Sequence, residues 1–374
     1  MRRVRLKEIG TFYSGLSGKS KSDFSEGNAL LVTYRNIFNN PVLNPAIKDT
    51  VVVGKDEKQN EVLWGDILIT GSSETPADAG MSSVVLFNPQ EKMYLNSFCF
   101  GFRLNDMNEA LPSYIGHLLR STSIRAAISK TAFGVTRFNV NRMRFADIEI
   151  PLPPLNIQKE IVSILDSFTS LIDKMKQEVE MRKKQMEYYR EKLMAPQKNW
   201  KIKTLGEIGT FTRGKGLQKS DFRVKGFPCV HYGQIHTYYN TCIYKTKSFC
   251  EEDLAKKLQK ASYGDLLIAT TSEDVKACCK AAVWFGAGDV AYSGDSFCYS
   301  HDQDPKYMAY LFQTEMFAKQ KQKAATGAKV IRVSGESMAS FSFAFPPLVQ
   351  QRQIASILDT FETYISKLEK MIEL

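Results

Sequence analysis

Two stretches of the chain carry the apolar spacing of long amphipathic helices. In the first, apolar side chains follow one another at alternating steps of four and three residues: Ile157, Ile161, Ile164, Phe168, Leu171 and Met175. These steps predict a helix with one apolar seam, as in a coiled coil. The pattern continues to Leu193, and Pro196 is expected to end it because proline cannot continue a helix. A helix of about 39 residues is roughly 58 Å long.

The second stretch repeats the seam near the end of the chain: Ile354, Leu358, Phe361, Ile365, Leu368 and Ile372. Two such stripes in one molecule are expected to pack together, because each would otherwise expose a wide apolar surface. Since each helix follows its own domain, a two-fold arrangement would make the pair antiparallel. The alternative is that each helix is an ordinary amphipathic helix that packs only on its own domain.

The residues around the two seams belong to a longer repeat. Pro153-Pro154-Leu155 and Pro346-Pro347-Leu348 each lead, through a glutamine, into Ile-x-Ser-Ile-Leu-Asp-x-Phe. Further blocks recur in the same order at a nearly constant offset, and their first residues are Leu6 and Leu205, Lys21 and Lys219, Val32 and Val230, Trp64 and Tyr263, Ser97 and Ser296. Internal repetition of this kind predicts two copies of one unit, whose differing loops suit different ligands.

The globular part of each copy contains both strand-like and helix-like sequence patterns. Residues 64–69 and 82–87 are short β-rich runs bounded by turn residues, whereas 114–119 and 306–312 have helical spacing. The predicted fold class is therefore α+β, with two homologous mixed α/β domains separated by long helices that pair as an antiparallel coiled coil with pseudo-two-fold symmetry. The predicted bounds are 1–152 for the first domain, 153–196 for the spacer helix, 197–345 for the second domain and 346–374 for the C-terminal helix.

The net charge indicates the class of partner, and the cysteines indicate the cellular compartment. The chain has 374 residues and a formal charge of +10, which favours a polyanion such as nucleic acid. Its seven cysteines have no paired metal spacing, which suits reduced thiols in a cytoplasm. No apolar run has the length of a membrane span, and the first residues lack the apolar run of a signal peptide.

The duplicated Pro-Pro-Leu-x-x-Gln-x-x-Ile-x-x-Ile-Leu-Asp, each copy following a variable domain, resembles the specificity subunit of type I restriction-modification enzymes. The Gly-Asp-Ile/Leu-Leu-Ile strand at Gly65 and Gly264 is also similar to that family. The resemblance covers the whole chain. It implies two target-recognition domains that each read one half of a split double-stranded DNA site, a methyltransferase partner subunit and a translocating restriction subunit. The rod would correspond to roughly 17 base pairs of duplex.

Motifs for chemistry are not found in the sequence. There is no Asn-Pro-Pro-aromatic stretch of an amino-methyltransferase, no phosphate-binding loop and no nuclease-like carboxylate set. Cys229, His231 and His236 lack the second cysteine pair expected of a zinc site, and Cys278-Cys279 are read as packed thiols. We therefore expect a non-enzymatic chain without a cofactor or metal, and S-adenosylmethionine on the partner methyltransferase.

Loops at matching positions of the two copies are the predicted DNA-binding elements, because Arg, Lys, Asn and Gln read base edges while Lys, Arg, Ser and Thr bind phosphates. The residues in the first copy are Ser14, Lys19, Lys21, Tyr34, Arg35, Asn36, Ser72, Ser73, Thr136 and Arg137. Those in the second are Arg213, Lys215, Lys219, His231, Tyr232, Gln234, Thr271, Ser272, Lys329 and Arg332. The alternative for Asn36 and Gln234 is a structural role in a turn that both copies share.

The repeated helix starts are predicted to bind the partner. Their recurring residues Gln158, Lys159, Gln351 and Arg352 are expected on exposed faces, which implies two methyltransferase copies. The alternative is that both glutamines only cap their own helices. For the chain as a whole, the competing hypotheses are a coiled-coil scaffold with two ligand-binding domains and no nucleic-acid role, and an enzyme whose motif escapes recognition.

Overall fold

The computed structural model describes residues 2–373 of the chain. Met1 and Leu374, which the predicted domain bounds include, lie outside the described residues. The chain divides into two compact units, Met1–Ile172 and Asp173–Leu374, called unit 1 and unit 2 below. The division falls inside the long helix between the repeats, so each unit holds one globular part and one portion of that helix.

Unit 1 is built from short strands and short helices. Its strands are β1 (Arg2–Arg5), β2 (Gly10–Ser14), β3 (Ala29–Val32), β4 (Thr50–Val51), β5 (Ile67–Thr70), β6 (Ser72–Ser73), β7 (Ser82–Val84), β8 (Met93–Leu95), β9 (Cys99–Leu104), β10 (Ala132–Phe133), β11 (Phe138–Val140) and β12 (Glu149–Leu152). Its helices are α1 (Leu6–Ile9), α2 (Tyr34–Asn39), α3 (Pro112–Arg120), α4 (Thr122–Ser129) and α5 (Arg142–Ala146), with a 3₁₀ turn at Lys21–Phe24.

The strands of unit 1 form two principal sheets and two small ones. The order β2-β9-β5-β7 is antiparallel throughout, whereas β4-β3-β8 is mixed because β3 and β8 run parallel. The small sheets are β1-β12 and β10-β11-β6. The main core is buried between the first sheet and helices α3 to α5, with Phe100, Phe102, Ile115 and Phe145 fully excluded from solvent.

The helix between the two repeats, α6 (Leu155–Leu193), has 39 residues. It begins directly after Pro153-Pro154 and ends three residues before Pro196, as the positions of these prolines predict. Near its start, Ile161 and Val162 pack against the core of unit 1, and His117 hydrogen-bonds Asp166 over 2.8 Å. Further along, Ile164, Phe168 and Leu171 are more than half exposed. The predicted long helix is confirmed, although this part of its seam is uncovered.

Unit 2 has a longer set of strands and helices. Its strands are β13 (Lys201–Thr204), β14 (Gly209–Arg213), β15 (Phe227–Val230), β16 (Cys242–Ile243), β17 (Ser248–Cys250), β18 (Lys260–Ala261), β19 (Leu266–Ala269), β20 (Thr271–Ser272), β21 (Lys280–Trp284), β22 (Val290–Tyr292), β23 (Ser296–His301), β24 (Ile331–Arg332) and β25 (Ser342–Phe345). Its helices are α7 (Leu205–Ile208), α8 (Tyr232–Thr237), α9 (Glu252–Ala255), α10 (Pro305–Leu311), α11 (Glu315–Ala324), α12 (Gly335–Ala339) and α13 (Leu348–Glu373), with a 3₁₀ turn at Lys219–Asp221.

The sheet topology of unit 2 repeats that of unit 1. The order β14-β23-β19-β21 corresponds to β2-β9-β5-β7, and the parallel pair β15-β22 corresponds to β3-β8. The pair β13-β25 matches β1-β12, and β20-β24 matches β6-β11. The antiparallel pair β15-β17 corresponds to β3-β4, and the added strands β16 and β18 account for the larger sheets of unit 2. The predicted internal repeat and mixed composition are confirmed.

The repeated Gly-Asp dipeptide forms the turn that starts the central strand of each copy. Gly65 and Gly264 have φ of +84° and +92°, a backbone region that glycine occupies without strain. The carboxylate of the following aspartate accepts a backbone hydrogen bond over 2.8 Å from Leu63 in unit 1 and from Ser262 in unit 2. The predicted turn entering a strand is confirmed.

The glutamine at each helix start is buried, which corrects the prediction of an exposed face. The Gln158 amide nitrogen donates to the carbonyls of Glu109 and Pro153, and its oxygen accepts from the Leu111 amide over 2.9 Å. Gln351 likewise donates to the Pro346 carbonyl and accepts from the Asp304 amide, but its other acceptor is the side-chain oxygen of Gln303 over 2.7 Å. Both side chains are 0% exposed, so they join the helix to its domain instead of facing a partner.

Within unit 2, the end of α6 packs against α13. Val179, Ile365 and Leu368 form a buried cluster with Met175, Met186 and Ile372 around it. The pair is antiparallel, because Tyr189 stacks on Phe361 at 5.6 Å while the earlier Lys183 meets the later Glu369 at 2.9 Å. The predicted antiparallel helix pairing is confirmed for this portion of α6.

We expect Gln351→Ala to destabilise unit 2 by about 3 kcal/mol, because the buried backbone groups at Asp304 and Pro346 lose their partner. Urea unfolding of the full chain measures this. The matched control is Gln353→Ala, an exposed glutamine of the same helix, with an expected change below about 0.5 kcal/mol. Equal effects of the two substitutions would contradict the structural role of Gln351.

We expect Leu368→Ala to loosen the helix pair by about 2 kcal/mol, since a buried leucine is removed from the contact with Val179. Hydrogen–deuterium exchange of α13 should then become faster around 361–373 and stay unchanged at the start of the helix, where Gln351 holds it. Lys367→Ala, at an exposed neighbour, serves as the control and should leave the exchange rates unaltered.

Candidate functional site

Five of the predicted DNA-binding residues of unit 1 line one concavity of about 600 Å³, called the unit 1 concavity. They come from separate parts of the sequence: α2, strand β6 and the loop before β11. The strand pairing of Ser73 with Phe138 brings the last two together. The residues present are Tyr34, Ser72, Ser73, Thr136 and Arg137, joined by Phe38, Glu74, Thr75 and Asp78.

Arg137 is held in place although it is exposed. Its Nε donates to the Ser72 hydroxyl over 3.1 Å, and Ser72 itself is 4% exposed. Its guanidinium carbon lies 5.0 Å from the ring centroid of Phe98, a ring that is 58% exposed. A hydrogen bond and a cation–π contact therefore fix the guanidinium plane at the rim of the concavity. On the wall beside it, Tyr34 stacks on Phe38 with ring centroids 5.6 Å apart.

A second concavity of about 520 Å³, called the unit 2 concavity, lies among the predicted residues of unit 2. The loop after β14 and the start of α8 meet the segment 293–295 there. Arg213 donates from Nε to the Gly294 carbonyl over 3.2 Å, which ties the first loop to that segment. The predicted residues it gathers are Arg213, Lys215, His231 and Tyr232, with Gln218 and Asp295 beside them.

His231 contributes no charge to this concavity near neutral pH. Its burial, together with the nearby Lys219, lowers the pKa of the imidazole below the usual value. Nδ1 accepts a hydrogen bond from the Gly233 amide over 3.2 Å, which needs an unprotonated nitrogen. Arg213 and Lys215 therefore outweigh the single carboxylate of Asp295, and the unit 2 concavity carries a net positive charge.

Three predicted DNA-binding residues have structural roles in the fold instead. The side chain of Lys19 is 8% exposed and pairs with Glu57 at 2.5 Å, which corrects the expectation of a free lysine in a loop. Asn36 accepts from the Thr33 amide and hydroxyl, so it caps α2. Gln234 accepts from the His231 amide and donates to Ser248 over 2.7 Å, so it caps α8. The alternative reading of Asn36 and Gln234 as shared turn residues is confirmed.

The remaining predicted residues lie outside the two linings. Ser14 accepts a hydrogen bond from Arg142 over 2.8 Å. Thr271 pairs with Arg332 across β20 and β24, in the register that Ser72 and Asn139 have in unit 1. Those at exposed or half-exposed positions are Lys21, Arg35, Lys219, Ser272, Lys329 and Arg332. Of the predicted partner-binding residues, Lys159 and Arg352 are exposed beside the buried glutamines.

Sequence reasoning missed the aromatic and acidic residues of the two concavities. Phe98 belongs to the block Ser97-Phe98-Cys99, which marks the repeat, and Asp295 directly precedes the matching block. Their position beside a repeated strand was a usable signal. Glu74 and Asp78 were passed over because carboxylates are unusual at a polyanion surface, although a carboxylate can accept a hydrogen bond from the amino group of a cytosine.

The histidine and cysteine residues considered as metal ligands make other contacts in the fold. His236 Nε2 is hydrogen-bonded to the Thr271 carbonyl over 2.9 Å, and Cys229 is buried. Among residues 2–373, no three His, Cys, Asp or Glu side chains come together as metal ligands would. Cys278 and Cys279 are packed thiols with sulfurs 3.8 Å apart. In the described part of the chain, no helix combines the length and apolar character needed to cross a membrane.

Solved structures share this fold at low sequence identity. A structure from work on complex assembly and conformational transition of the type I R-M system aligns with a TM-score of 0.66 and 16% identity, over 100% of this chain and 92% of that one. The HsdS subunit of Thermoanaerobacter tengcongensis aligns with a TM-score of 0.53 and 18% identity, over 99% of this chain and 91% of that one.

Proteins that are similar in sequence are named as type I restriction enzyme specificity subunits. A putative type I restriction enzyme specificity subunit of Haemophilus influenzae is 28% identical over 64% of this chain and 63% of its own length. The EcoR124I/EcoR124II specificity subunit of Escherichia coli is 25% identical over 58% of this chain and 55% of its own length. The matches thus span less than two thirds of these relatives.

The model of the type I restriction modification DNA specificity domain matches the chain twice, at residues 1–181 and 197–374. The two matches coincide with the two copies of the repeat, and together they take in nearly the whole sequence. The chain therefore belongs to the type I restriction-modification DNA specificity family.

Proposed function

We propose that this chain is the DNA-sequence-recognition subunit of a type I restriction-modification complex. Each unit reads one half of a bipartite double-stranded site, and the helices set the distance between the half-sites and bind the methyltransferase subunits. The observation that carries this proposal is the duplicated scaffold, whose loops carry different polar residues in the two copies. Arg137 of unit 1 is replaced by Val330 in unit 2, and Ser14 by Arg213. One shared fold with different loop residues suits two different half-sites.

The charge of the chain supports a duplex as the ligand. The formal charge is +10, and exposed basic residues surround the unit 2 concavity at Arg213, Lys215 and Lys219. Basic side chains that neutralise phosphates release counterions, which supplies a large part of binding to DNA. A scaffold that binds small ligands would not require a net positive charge. The competing scaffold hypothesis therefore leaves the charge of the chain unexplained.

The helices suit a spacer and a partner-binding element. The 39 residues of α6 correspond to a rod of about 58 Å, and a stiff rod sets a fixed separation in the way that dimer spacing does in helix-turn-helix proteins. The exposed side chains Lys159 and Arg352, at equivalent positions of α6 and α13, offer two equivalent surfaces to methyltransferase subunits. A restriction subunit would join the complete complex.

We assign no chemistry to the chain itself. Binding and positioning are the activities that its residues support, and methylation requires a base held outside the duplex by a catalytic subunit. S-adenosylmethionine accordingly belongs to the partner methyltransferase, and the cytoplasm is the compartment that this role implies.

Methylome sequencing of cells with and without the chain, alongside its methyltransferase partner, tests the proposal. We expect methylated adenines at one split motif only when the chain is present. An unchanged methylome, together with absence of DNA binding by the reconstituted complex, would support the scaffold hypothesis. S-adenosylmethionine binding by the isolated chain would instead favour an enzyme.

The second test concerns phosphate contacts. We expect Lys215→Ala to weaken binding of the complex to all duplexes alike and to reduce the slope of log affinity against log salt by roughly 0.9, because one phosphate contact is lost. Fluorescence anisotropy over a salt series measures this. Lys184→Ala removes the same charge from α6 and should leave the slope unaltered; a loss of slope there as well would show a non-specific effect of net charge.

A further inference from the structure

The two concavities differ in the sign of their charge. Arg137 shares the lining of the unit 1 concavity with two carboxylates, Glu74 and Asp78, so that lining has a net negative charge. The unit 2 concavity has the opposite balance, with Arg213 and Lys215 against Asp295. Phosphate groups are repelled by the first lining and attracted by the second. The single cation of the unit 1 concavity is therefore poorly placed for a contact to the DNA backbone.

Arg137 is nevertheless prepared for a ligand. Ser72 occupies its Nε, and the ring of Phe98 lies against the guanidinium plane at 5.0 Å. In the described part of the chain, its two terminal nitrogens donate to no protein acceptor and it joins no ion pair. The guanidinium is thus held at Nε and over the ring while both terminal nitrogens keep their donors, which leaves them able to donate two parallel hydrogen bonds to one planar acceptor.

We propose that Arg137 reads a guanine in the major groove of the half-site bound by unit 1, and that Ser72 and Phe98 are its positioning residues. This inference rests on the proposed function. Guanine presents O6 and N7 on one edge, which two guanidinium nitrogens match bidentately. A carboxylate next to that arginine suits the same base pair, because the paired cytosine offers an amino donor on the adjoining edge.

Comparison of the two copies indicates that unit 2 has no equivalent of the Arg137 contact to guanine. Phe138 pairs with Ser73, and the equivalent Ile331 pairs with Ser272, so the residue at the position of Arg137 in unit 2 is Val330. The residue equivalent to Phe98 is Asp295, because the Thr270 amide donates to the Asp295 carbonyl as the Gly71 amide donates to the Phe98 carbonyl. Phe297, which the sequence match aligned with Phe98, is equivalent to Phe100 in the strand register. Unit 2 therefore lacks both the guanidinium and the exposed ring at this position, and its half-site should be read differently.

The test uses the full chain in complex with its methyltransferase subunits and a duplex whose motif the methylome has defined. Each base pair of both half-sites is replaced in turn, and the affinity is measured by fluorescence anisotropy. In the unaltered complex, we expect replacement of one G·C pair in one half-site to cost roughly 5- to 150-fold. In Arg137→Ala this penalty should disappear, while the penalties in the other half-site stay as they were.

Further variants separate positioning from folding. Arg137→Lys keeps the charge but not the fork, so we expect it to lose most of the discrimination at that pair. Phe98→Ala should lose part of the same discrimination, and Phe98→Tyr, which keeps the ring, should retain it. Val330→Ala, at the equivalent position of unit 2, is the matched control and should leave the discrimination in both half-sites unchanged.

Three outcomes would overturn the assignment of Arg137. The first is that Arg137→Ala weakens binding to all duplexes equally and lowers the salt slope by roughly 0.9, as loss of a phosphate contact does. The second is that all base-pair penalties persist in Arg137→Ala, and the third is that the penalty it removes belongs to a pair other than G·C. Failure of the proposed function gives a different result, since the unaltered complex would then bind every duplex alike and methylate no split motif.

Discussion

The molecule depends on the hydrogen bonds that a buried glutamine makes at the start of each long helix. Gln158 and Gln351 each bond to carbonyls and an amide of their own domain, and neither side chain is accessible to solvent. A helix that begins at a fixed angle to its domain transmits the position of that domain along its length. Without these contacts, the start of each helix would be held less firmly, by apolar packing such as that of Ile161 on the core of unit 1 and Ile354 in the core of unit 2.

A second constraint is the shared scaffold beneath the variable loops. In each copy, glycine with positive φ and an aspartate make the turn before the central strand. The partners of the two aspartates differ: Asp66 is fully buried and bonded to Tyr13 and Arg103, whereas Asp265 accepts from Cys298. Burial beside Asp66 raises the pKa of Tyr13, so its hydroxyl keeps its proton and remains a donor. The backbone geometry is kept while the side-chain network beneath it changes.

Electrostatics then distinguish the two concavities that this scaffold supports. The lining around Arg137 holds more carboxylates than cations, and that around Lys215 holds more cations than carboxylates. Under the proposed assignment, Arg137 would contact a base edge and Lys215 a phosphate, so the two copies of one fold would contact DNA in different ways.

The sequence by itself determined the repeat, the mixed fold class and the two long helices. Periodicity and repetition can be read from the sequence, because the seam that begins at Ile157 and the two Gly-Asp turns depend only on residues that are close along the chain. The candidate site was only partly predictable. Tyr34, Ser72 and Arg137 line one concavity as expected, but Lys19 forms an ion pair with Glu57, and Phe98 and Glu74 were missed. Only the tertiary structure decided that Gln158 faces inward and that Arg137 lies on a ring, because the contact of Gln158 with Leu111 and that of Arg137 with Phe98 join residues 39 or more positions apart. The burial of a side chain and the net charge of a concavity depend on which distant loops come together, and local sequence patterns do not predict that.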